Sequence, residues 1–293
     1  MHNTERLLAF PALLNARDLG GYPTADGGQT RWRSLLRSDD LAQLTAVGIQ
    51  ALAAYGVETV VDLRWAEEIA LNPSPLGAHA PQVRYVHSSL LAGTPAQWRE
   101  LAGGCEKERW KCVVLEQVRP HLREVLKVIA AAAAGPLLFH CVAGKDRTGL
   151  IAALMLTLAE VKPESIAADY AESSQMLGNA YLVRYKDVDP QDVLENVRCP
   201  EEGVHNMLAY LEREGGIREY LGKIGLNDLE IARLRARLSA TAHQPLAPDH
   251  SRAEDGDIRE VLAPNQTVVP VGVTEVLILV PLIRLGRIVL HII

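Results

Sequence analysis

The sequence predicts an α/β domain in which a central, largely parallel sheet is flanked by helices and is followed by a mostly helical C-terminal part. Short apolar, β-branched runs such as Val57–Leu63 alternate with longer segments in which apolar residues recur at helical spacing. Leu150–Val161 is apolar almost all round, which is typical of a central, buried helix. From residue 163 to residue 239 only helical patterns follow, and these indicate the helical part.

The first half of the chain is expected to contain three strands and a helix. The strands are short because glycines and prolines interrupt the apolar runs. The helix is marked by apolar residues at helical spacing and by Gly56 at its end. The predicted strands are Thr30–Arg37, Val57–Leu63 and Val83–Leu90, and the helix begins at an N-cap formed by Ser38 and Asp39.

The second half begins with a long amphipathic helix at Glu116–Ala134, which Gly135 and Pro136 end. Leu137–Phe139 is then a short buried strand, and the all-apolar helix follows after a polar loop. Four further helices complete the prediction: Ile166–Ser174, Asp192–Val197, Gly203–Glu214 and Asn227–Leu238.

We expect one domain over residues 1–240, a linker over residues 241–258 and an apolar tail over residues 259–293. Prolines and charged residues interrupt the tail, so it lacks the unbroken apolar stretch of about 18 residues that marks a membrane helix. Three interpretations of the tail stay open: extra strands that pack on the domain or on a second subunit, a membrane-surface segment, and a segment unrelated to the domain. The oligomeric state is not predicted.

The composition excludes some classes of function. The formal net charge is -6, which argues against a general nucleic-acid binder, since such a protein needs a basic surface. The four cysteines form no C-x-x-C pair and have no histidine at zinc-ligand spacing, so we expect reduced thiols and no metal site. The N-terminal residues lack the pattern of a signal peptide, and we expect a cytoplasmic protein.

The motif that carries the chemistry is HCVAGKDRTG, residues 140–149. It places Cys141 and Arg147 six positions apart, on a loop between a predicted strand and a predicted helix. When such a loop curls, the N–H groups of Val142, Ala143, Gly144 and Lys145 turn inward and form a nest for an anion. The positive end of the helix dipole adds to this site. The pattern therefore predicts a phosphate-binding loop with a cysteine at its base.

Each side chain around the loop has an expected task. The positive field favours the thiolate of Cys141, which is a nucleophile. The planar fork of Arg147 can hold two phosphoryl oxygens, most tightly in the transition state. The hydroxyl of Thr148 can donate to the sulfur and ease its departure, and His140 is expected to fix the loop through a backbone hydrogen bond. These tasks together predict transfer of a phosphoryl group to Cys141 and then to water.

The leaving oxygen also needs a proton donor, and two aspartates are candidates. Asp146 lies inside the loop, within reach of a bound phosphate. Asp62 ends a predicted strand, and the carboxyl ends of parallel strands line the ligand crevice. We favour Asp146, and Asp62 remains open. Lys145 is expected to add positive charge at the mouth of the pocket, which suits a substrate with more than one phosphate.

Other polar residues are assigned less sharply. Arg64 is expected either to contact substrate or to pair with Glu67 or Glu68, and both interpretations remain open. Arg17 and Asp18 are expected to form a structural ion pair near the site. Three tyrosines at helical positions are expected in the core rather than at the substrate: Tyr170, Tyr181 and Tyr185.

These motifs resemble the protein-tyrosine phosphatase superfamily, and above all its bacterial branch of atypical tyrosine and lipid phosphatases. The resemblance rests on HCVAGKDRTG, on NARDLGGY at residues 15–22, on residues 35–68 and on residues 216–238. It implies the phosphatase α/β fold, a two-step mechanism, no metal or other cofactor, and phosphorylated proteins or phosphoinositides as partners. Activity on phosphotyrosine is expected first, with phosphoserine and phosphothreonine next. Phosphoinositide hydrolysis is the alternative main activity.

By that resemblance, Cys141 corresponds to the nucleophile, Arg147 to the phosphate-binding arginine and Asp146 to the loop aspartate proposed as acid. Lys145 and Asp62 correspond to the loop lysine and the strand-end aspartate. A tryptophan-proline-aspartate loop is missing, so a swinging acid loop is not expected. Two other classes fit less well. A sulfurtransferase does not need Arg147 or Asp146, and an inactive phosphate-binding module usually lacks the nucleophile or the arginine.

Overall fold

A computed structural model describes residues 4–102 and 105–239 of the chain. Its centre is a five-stranded sheet with strand order β1-β2-β5-β3-β4, in which β1 is antiparallel to β2 and all other neighbours are parallel. The predicted fold class, a largely parallel sheet flanked by helices, is therefore confirmed. The strands are β1 (Arg17–Asp18), β2 (Leu35–Ser38), β3 (Thr59–Asp62), β4 (Arg84–His87) and β5 (Leu137–His140).

Helices surround the sheet and form the whole C-terminal part. Those of the first half are α1 (Ala46–Tyr55), α2 (Ala66–Leu71), α3 (Leu76–His79), α4 (Pro95–Ala102), α5 (Lys107–Gln117), α6 (Arg119–Ala131) and α7 (Asp146–Leu158). The C-terminal part contains α8 (Pro163–Arg184), α9 (Pro190–Val197), α10 (Glu202–Arg213), α11 (Ile217–Lys223) and α12 (Asp228–Leu238). Short 3-10 turns lie at Thr4–Arg6 and Leu41–Gln43.

The sheet has a hydrophobic core on each face. Along β5, Leu137 and Phe139 belong to the larger core, which also contains α7 and parts of α5, α6 and α10–α12. Leu138 points the other way and belongs to a smaller core with residues of α1 and α3. This alternation is expected for a strand covered on both faces. The prediction that the helix after the loop is central and buried is confirmed, because nearly every residue of α7 is buried.

The start of α1 differs from the prediction. Ser38 is the last residue of β2, and the α-helix begins only at Ala46, behind an N-cap at Thr45 whose hydroxyl accepts from the Gly48 N–H at 3.3 Å. Asp39 does not cap this helix because its carboxylate accepts hydrogen bonds from the backbone near residue 14 instead. The predicted end is confirmed, since Gly56 has a left-handed φ of 89° as C-cap.

The single helix predicted at Glu116–Ala134 is two helices. α5 ends at Gln117, and α6 begins at Arg119 after an N-cap at Val118. Pro120 explains the break, because proline lacks the N–H that a continuous helix needs but is tolerated in the first turn. The apolar period continues across the break, so it could not reveal the boundary.

The parallel register aligns the carboxyl ends of four strands. Ser38 of β2 pairs with His140 of β5, which pairs with Asp62 of β3, which pairs with His87 of β4. The loops that leave these strands therefore meet at one edge of the sheet, where α/β proteins bind ligands. The phosphate-loop motif leaves β5, the central strand of the sheet.

At its C-terminal end, the described part of the chain stops at residue 239. No helix in residues 4–102 and 105–239 is long and apolar enough to cross a membrane. The predicted linker at 241–258 and apolar tail at 259–293 lie outside the described residues, so both stay predictions, as does the single domain over 1–240. All four cysteines are free thiols.

Candidate active site

The loop between β5 and α7 curls tightly at Gly144. Its φ is +64°, a left-handed conformation that glycine adopts without strain. A Cβ atom at this position would lie 2.5 Å from the carbonyl oxygen of Ser38. Glycine is therefore required both by its backbone conformation and by the close approach of β2.

The carbonyl groups of residues 142–144 point outward, toward the N-terminal part of the chain. The Val142 carbonyl accepts from the Asp40 N–H at 2.9 Å, and the Ala143 carbonyl accepts from Asn15 Nδ2 at 2.9 Å. The Gly144 carbonyl accepts from Arg37 Nη2 at 2.6 Å and from Asn15 Nδ2 at 3.1 Å. In a trans peptide the next N–H points opposite to the carbonyl, so the N–H groups of residues 143–145 point inward. This arrangement can hold an anion.

The hydrogen bonds that Asp40, Asn15 and Arg37 donate to the loop carbonyls form a clamp on the loop. A buried ion network holds two of these residues, Asn15 and Arg37, in place. Asp169 of α8 accepts from Arg17 Nε at 2.9 Å and from Arg37 Nη1 at 2.5 Å. Arg17 Nη1 also donates to Asn15 Oδ1 at 2.5 Å, which orients the amide that holds the loop. The predicted ion pair between Arg17 and Asp18 is wrong. Asp169 takes Arg17, while Asp18 accepts from backbone N–H groups of residues 20 and 33 and from a tyrosine.

We expect Asn15→Ala to lower the free energy of unfolding by about 1–3 kcal/mol, because the buried Ala143 carbonyl loses its donor and Arg17 Nη1 loses an acceptor. The loop should then relax, and phosphate binding should weaken. Urea unfolding and kcat/KM measure the two effects. Asn206→Ala is the matched control, since Asn206 Nδ2 also donates to a backbone carbonyl, but to that of Glu108 at 3.2 Å, outside the loop. Equal losses of activity in both variants would contradict the clamp.

Arg147 is held by a residue that the sequence analysis did not assign to the loop. Glu68 of α2 accepts from Arg147 Nη1 at 2.6 Å and from Nη2 at 2.8 Å, a bidentate pair that uses two of the five guanidinium N–H donors. The guanidinium carbon lies 4.7 Å from the ring centroid of Trp65. The carboxylate of Glu68 and the ring of Trp65 together fix the orientation of the Arg147 guanidinium plane.

The other loop side chains are also buried. Cys141 is only 3% exposed, and its carbonyl oxygen lies 3.1 Å from His140 Nδ1, as predicted for a histidine that fixes the loop. The hydroxyl of Thr148 is buried and has no hydrogen-bond partner in the part of the chain that the structure describes. A buried hydroxyl without a partner is unusual, and a phosphoryl group bound at the loop would supply one.

Asp146, at the first turn of α7, keeps 31% of its side chain exposed. Its Oδ1 accepts from the hydroxyl of Tyr170 at 2.8 Å, and its Oδ2 lies 3.4 Å from Lys145 Nζ. Burial raises the pKa of Asp146, but the ammonium groups of Lys145 and Lys111 and the tyrosine hydroxyl outweigh it, so the pKa lies below its ordinary value. The carboxylate is charged in the substrate-free protein at neutral pH.

Lys145 does not lie at the mouth of the pocket, as the sequence had suggested. It is only 5% exposed, and Nζ donates to the carbonyl of Asn196 at 2.6 Å besides pairing with Asp146. Its charge is thus balanced inside the protein. The ammonium fastens the end of α9 to the loop instead of extending toward solvent.

Asp62 and Arg64 are brought to the same edge of the sheet but are engaged with each other. Arg64 Nε lies 3.0 Å from both carboxylate oxygens of Asp62, and Arg64 Nη1 lies 2.8 Å from Asp40 Oδ1. Tyr85 also donates to Asp62. Burial raises the pKa of Asp62, but His140 and Arg64 outweigh it and lower the pKa to about 2. Both side chains are fully buried, and both are engaged in these hydrogen bonds.

Several residues around the loop were not predicted from the sequence, among them Asn15, Glu68, Lys111 and Tyr170. Asn15 lies in the NARDLGGY motif, which could have marked it. Glu68 was weighed only as a partner of Arg64, and the other two lie in ordinary helical patterns. Tyr170 is buried, as predicted, but its hydroxyl donates a hydrogen bond to Asp146. Tyr181 joins a buried cluster with Ala143 and residues of α9.

The sequence is similar to those of known phosphatases. The sequence model of the tyrosine phosphatase family matches residues 8–240. A tyrosine-protein phosphatase of Nostoc commune is 34% identical over 222 residues, which cover 70% of this chain and 74% of that protein. The triple specificity protein phosphatase PtpB of Mycobacterium tuberculosis is 28% identical over 192 residues, which cover 56% of this chain and 68% of that protein.

Proposed function

Because the chain belongs to the tyrosine phosphatase family, we propose that it hydrolyses phosphotyrosine through a phosphocysteine intermediate on Cys141. The observation that supports this most is the loop itself, in which the carbonyls of residues 142–144 are held outward and Cys141 lies near enough to Arg147 to raise the pKa of its guanidinium. Within this proposal, the inward N–H groups of residues 143–145 and the arginine fork bind the three terminal oxygens of the phosphoryl group.

The proposed first step transfers the phosphoryl group to sulfur. The thiolate of Cys141 attacks phosphorus, the P–O bond to the leaving group breaks, and the protonated form of Asp146, which is favoured at lower pH, gives its proton to the leaving oxygen. In the second step a water attacks phosphorus and the P–S bond breaks. The Asp146 carboxylate takes a proton from that water, and the Thr148 hydroxyl donates to the departing thiolate. Inorganic phosphate leaves, and the starting protonation is restored.

We assign the acid to Asp146 and not to Asp62. A proton donor must reach the leaving oxygen, and only Asp146 combines partial exposure with a place inside the loop. The carboxylate of Asp62 is occupied by Arg64 and Tyr85. We therefore propose that Asp62 and Arg64 position Asp40, whose N–H holds the Val142 carbonyl, and do not contact substrate.

The position of Asp146 predicts an alkaline loss of activity. An acid of lowered pKa holds its proton below that pKa and loses it as pH rises, so kcat/KM for phenyl phosphate should fall about tenfold per pH unit above the optimum. Asp146→Asn should lower the maximum about 10²-fold and remove this alkaline limb. The pH profile of kcat/KM measures both effects. Asp187→Asn, at an exposed position between α8 and α9, is the control, and an unchanged limb in Asp146→Asn would exclude Asp146 as the acid.

We further propose that phosphoserine and phosphothreonine are hydrolysed as well. The relative named a triple specificity protein phosphatase supports this breadth. The test is phosphate release from matched peptides with phosphotyrosine, phosphoserine or phosphothreonine, and from a phosphoinositide, all in the presence of EDTA.

Release from the phosphotyrosine peptide in EDTA, together with the mass of one phosphoryl group on the Cys141 peptide after rapid quenching, is the expected result. No release from any phosphotyrosine substrate would overturn the proposal. Faster release from the lipid than from all peptides would replace a protein substrate by phosphoinositide.

A further inference from the structure

Lys111 of α5 is a buried charge that the proposed mechanism does not use. Its side chain is fully buried, and its Nζ has no hydrogen-bond partner within residues 4–102 and 105–239. A buried ammonium without hydrogen bonds costs free energy unless another charge or a polarisable group compensates it. The groups around it therefore explain why a lysine is retained at this position.

The nearest group is the aromatic ring of Tyr170. Lys111 Nζ lies 3.1 Å from the ring centroid, a close cation–π contact. At the far end of the same ring, the hydroxyl donates to Asp146 Oδ1 at 2.8 Å. The ammonium thus contacts the ring, and the ring's hydroxyl contacts the carboxylate. A cation on the ring face withdraws electron density from the phenol, which strengthens the hydrogen bond that the hydroxyl donates.

We propose that Lys111 is a positioning residue which, through Tyr170, sets the pH above which Asp146 can no longer protonate the leaving group. The inference rests on the proposed function, since it assumes Asp146 to be the acid. The ammonium favours the charged carboxylate, which suits the second step, where Asp146 accepts a proton from water. The same charge restricts the first step to lower pH.

Other groups also lie near the Asp146 carboxylate, and they differ in their charge and therefore in their effect on its pKa. Lys145 precedes it in the loop, Arg147 follows it, Tyr170 approaches from α8, and Cys199 approaches from the segment after α9. Burial raises the pKa of the Cys199 thiol, so this group is neutral at neutral pH and adds no charge. Burial lowers the pKa of Lys111 to about 8, so most of it remains charged at pH 7.

Lys111 can be tested separately from the other cations. Replacing Lys145 would release the Asn196 carbonyl, and replacing Arg147 would remove the proposed phosphate ligand. Lys111 Nζ makes no hydrogen bond to any residue that the structure describes, so its substitution breaks none of those contacts. Methionine has a similar length and suits a buried site, so Lys111→Met removes the charge with little change in packing.

The experiment measures kcat/KM against pH for two substrates. Phenyl phosphate has a poor leaving group that needs the acid, whereas 2,4-dinitrophenyl phosphate leaves without protonation. We expect Lys111→Met to move the alkaline limb for phenyl phosphate upward by about one pH unit, since removal of one nearby buried charge changes the pKa of a carboxyl group by about that much. The profile for 2,4-dinitrophenyl phosphate should not move.

Three further variants sharpen the result. Tyr170→Phe keeps the ring but removes the hydroxyl, and it should also move the limb upward. Lys127→Met, on the surface of α6, is the control for loss of a charge and should leave the limb in place. In an Asp146→Asn background, Lys111→Met should change neither the shape of the profile nor its height.

The possible results separate this inference from the proposed function. A limb that stays in place in both Lys111→Met and Tyr170→Phe overturns the inference, and so does an equal shift for both substrates. These results leave the phosphatase proposal standing if activity still depends on Cys141. Absence of phosphate release from either substrate by the native protein overturns the proposed function itself.

Discussion

Cys141→Ser is expected to lower kcat/KM for aryl phosphates at least ~10⁴-fold while the protein stays folded. A serine hydroxyl at the base of the loop remains protonated at neutral pH and is a far weaker nucleophile than a thiolate. The substitution changes one buried atom in a side chain that is 3% exposed, so packing is nearly preserved. Steady-state kinetics with EDTA present and circular dichroism together measure activity and fold.

The control for this substitution is Cys105→Ser. Cys105 is a half-buried thiol before α5, so the same chemical change occurs outside the loop. Full activity in Cys105→Ser together with loss of activity in Cys141→Ser supports the thiolate mechanism. If Cys141→Ser kept native activity, or if EDTA abolished turnover in the native protein, the proposed mechanism would be wrong.

Arg147→Lys is expected to lower kcat by ~10³-fold or more, although the positive charge is retained. A lysine ammonium is a point charge and cannot hold two phosphoryl oxygens with a planar fork. It also cannot reproduce the bidentate pair with Glu68, in which Nη1 and Nη2 lie 2.6 and 2.8 Å from the two carboxylate oxygens. Separate values of kcat and KM, and the inhibition constant of vanadate, show whether transition-state binding is lost.

We expect the loss in Arg147→Lys to fall mainly on kcat and on vanadate binding, because the fork matters most in the transition state. Arg198→Lys is the matched control, since Arg198 forms a surface pair with Glu108 at 2.9 Å and lies outside the loop. A loss confined to KM in Arg147→Lys would mean that the arginine binds substrate and transition state equally.

The residues that form the loop could be predicted from the sequence because they are local. Cys141, Gly144 and Arg147 lie within one short motif, and its place after a strand and before a helix follows from the apolar pattern on either side. Their chemistry depends on side-chain type and spacing alone. For the same reason the order of strands and helices was largely correct.

The residues that hold the loop could not be predicted because they approach it through the tertiary fold. Asn15 lies 128 residues from the carbonyl that it clamps, and Glu68 lies 79 residues from Arg147. Lys145 was misplaced for the same reason. In sequence it resembles a solvent-facing lysine beside Asp146, and only the packing of α9 shows that it is enclosed.

The clamp on the loop carbonyls also has a consequence for the order of folding. Arg37 and Gly144 are separated by 107 residues, and Arg37 is itself held by Asp169, another 132 residues from it along the chain. Contacts between such distant segments form late, because a large loop must close before they gain stability. In a growing or refolding chain, the residues of the motif are therefore present before the loop has the conformation that can bind phosphate. Recovery of catalysis during refolding should coincide with the final docking of the N-terminal segment and α8, and not with the earlier gain of helix.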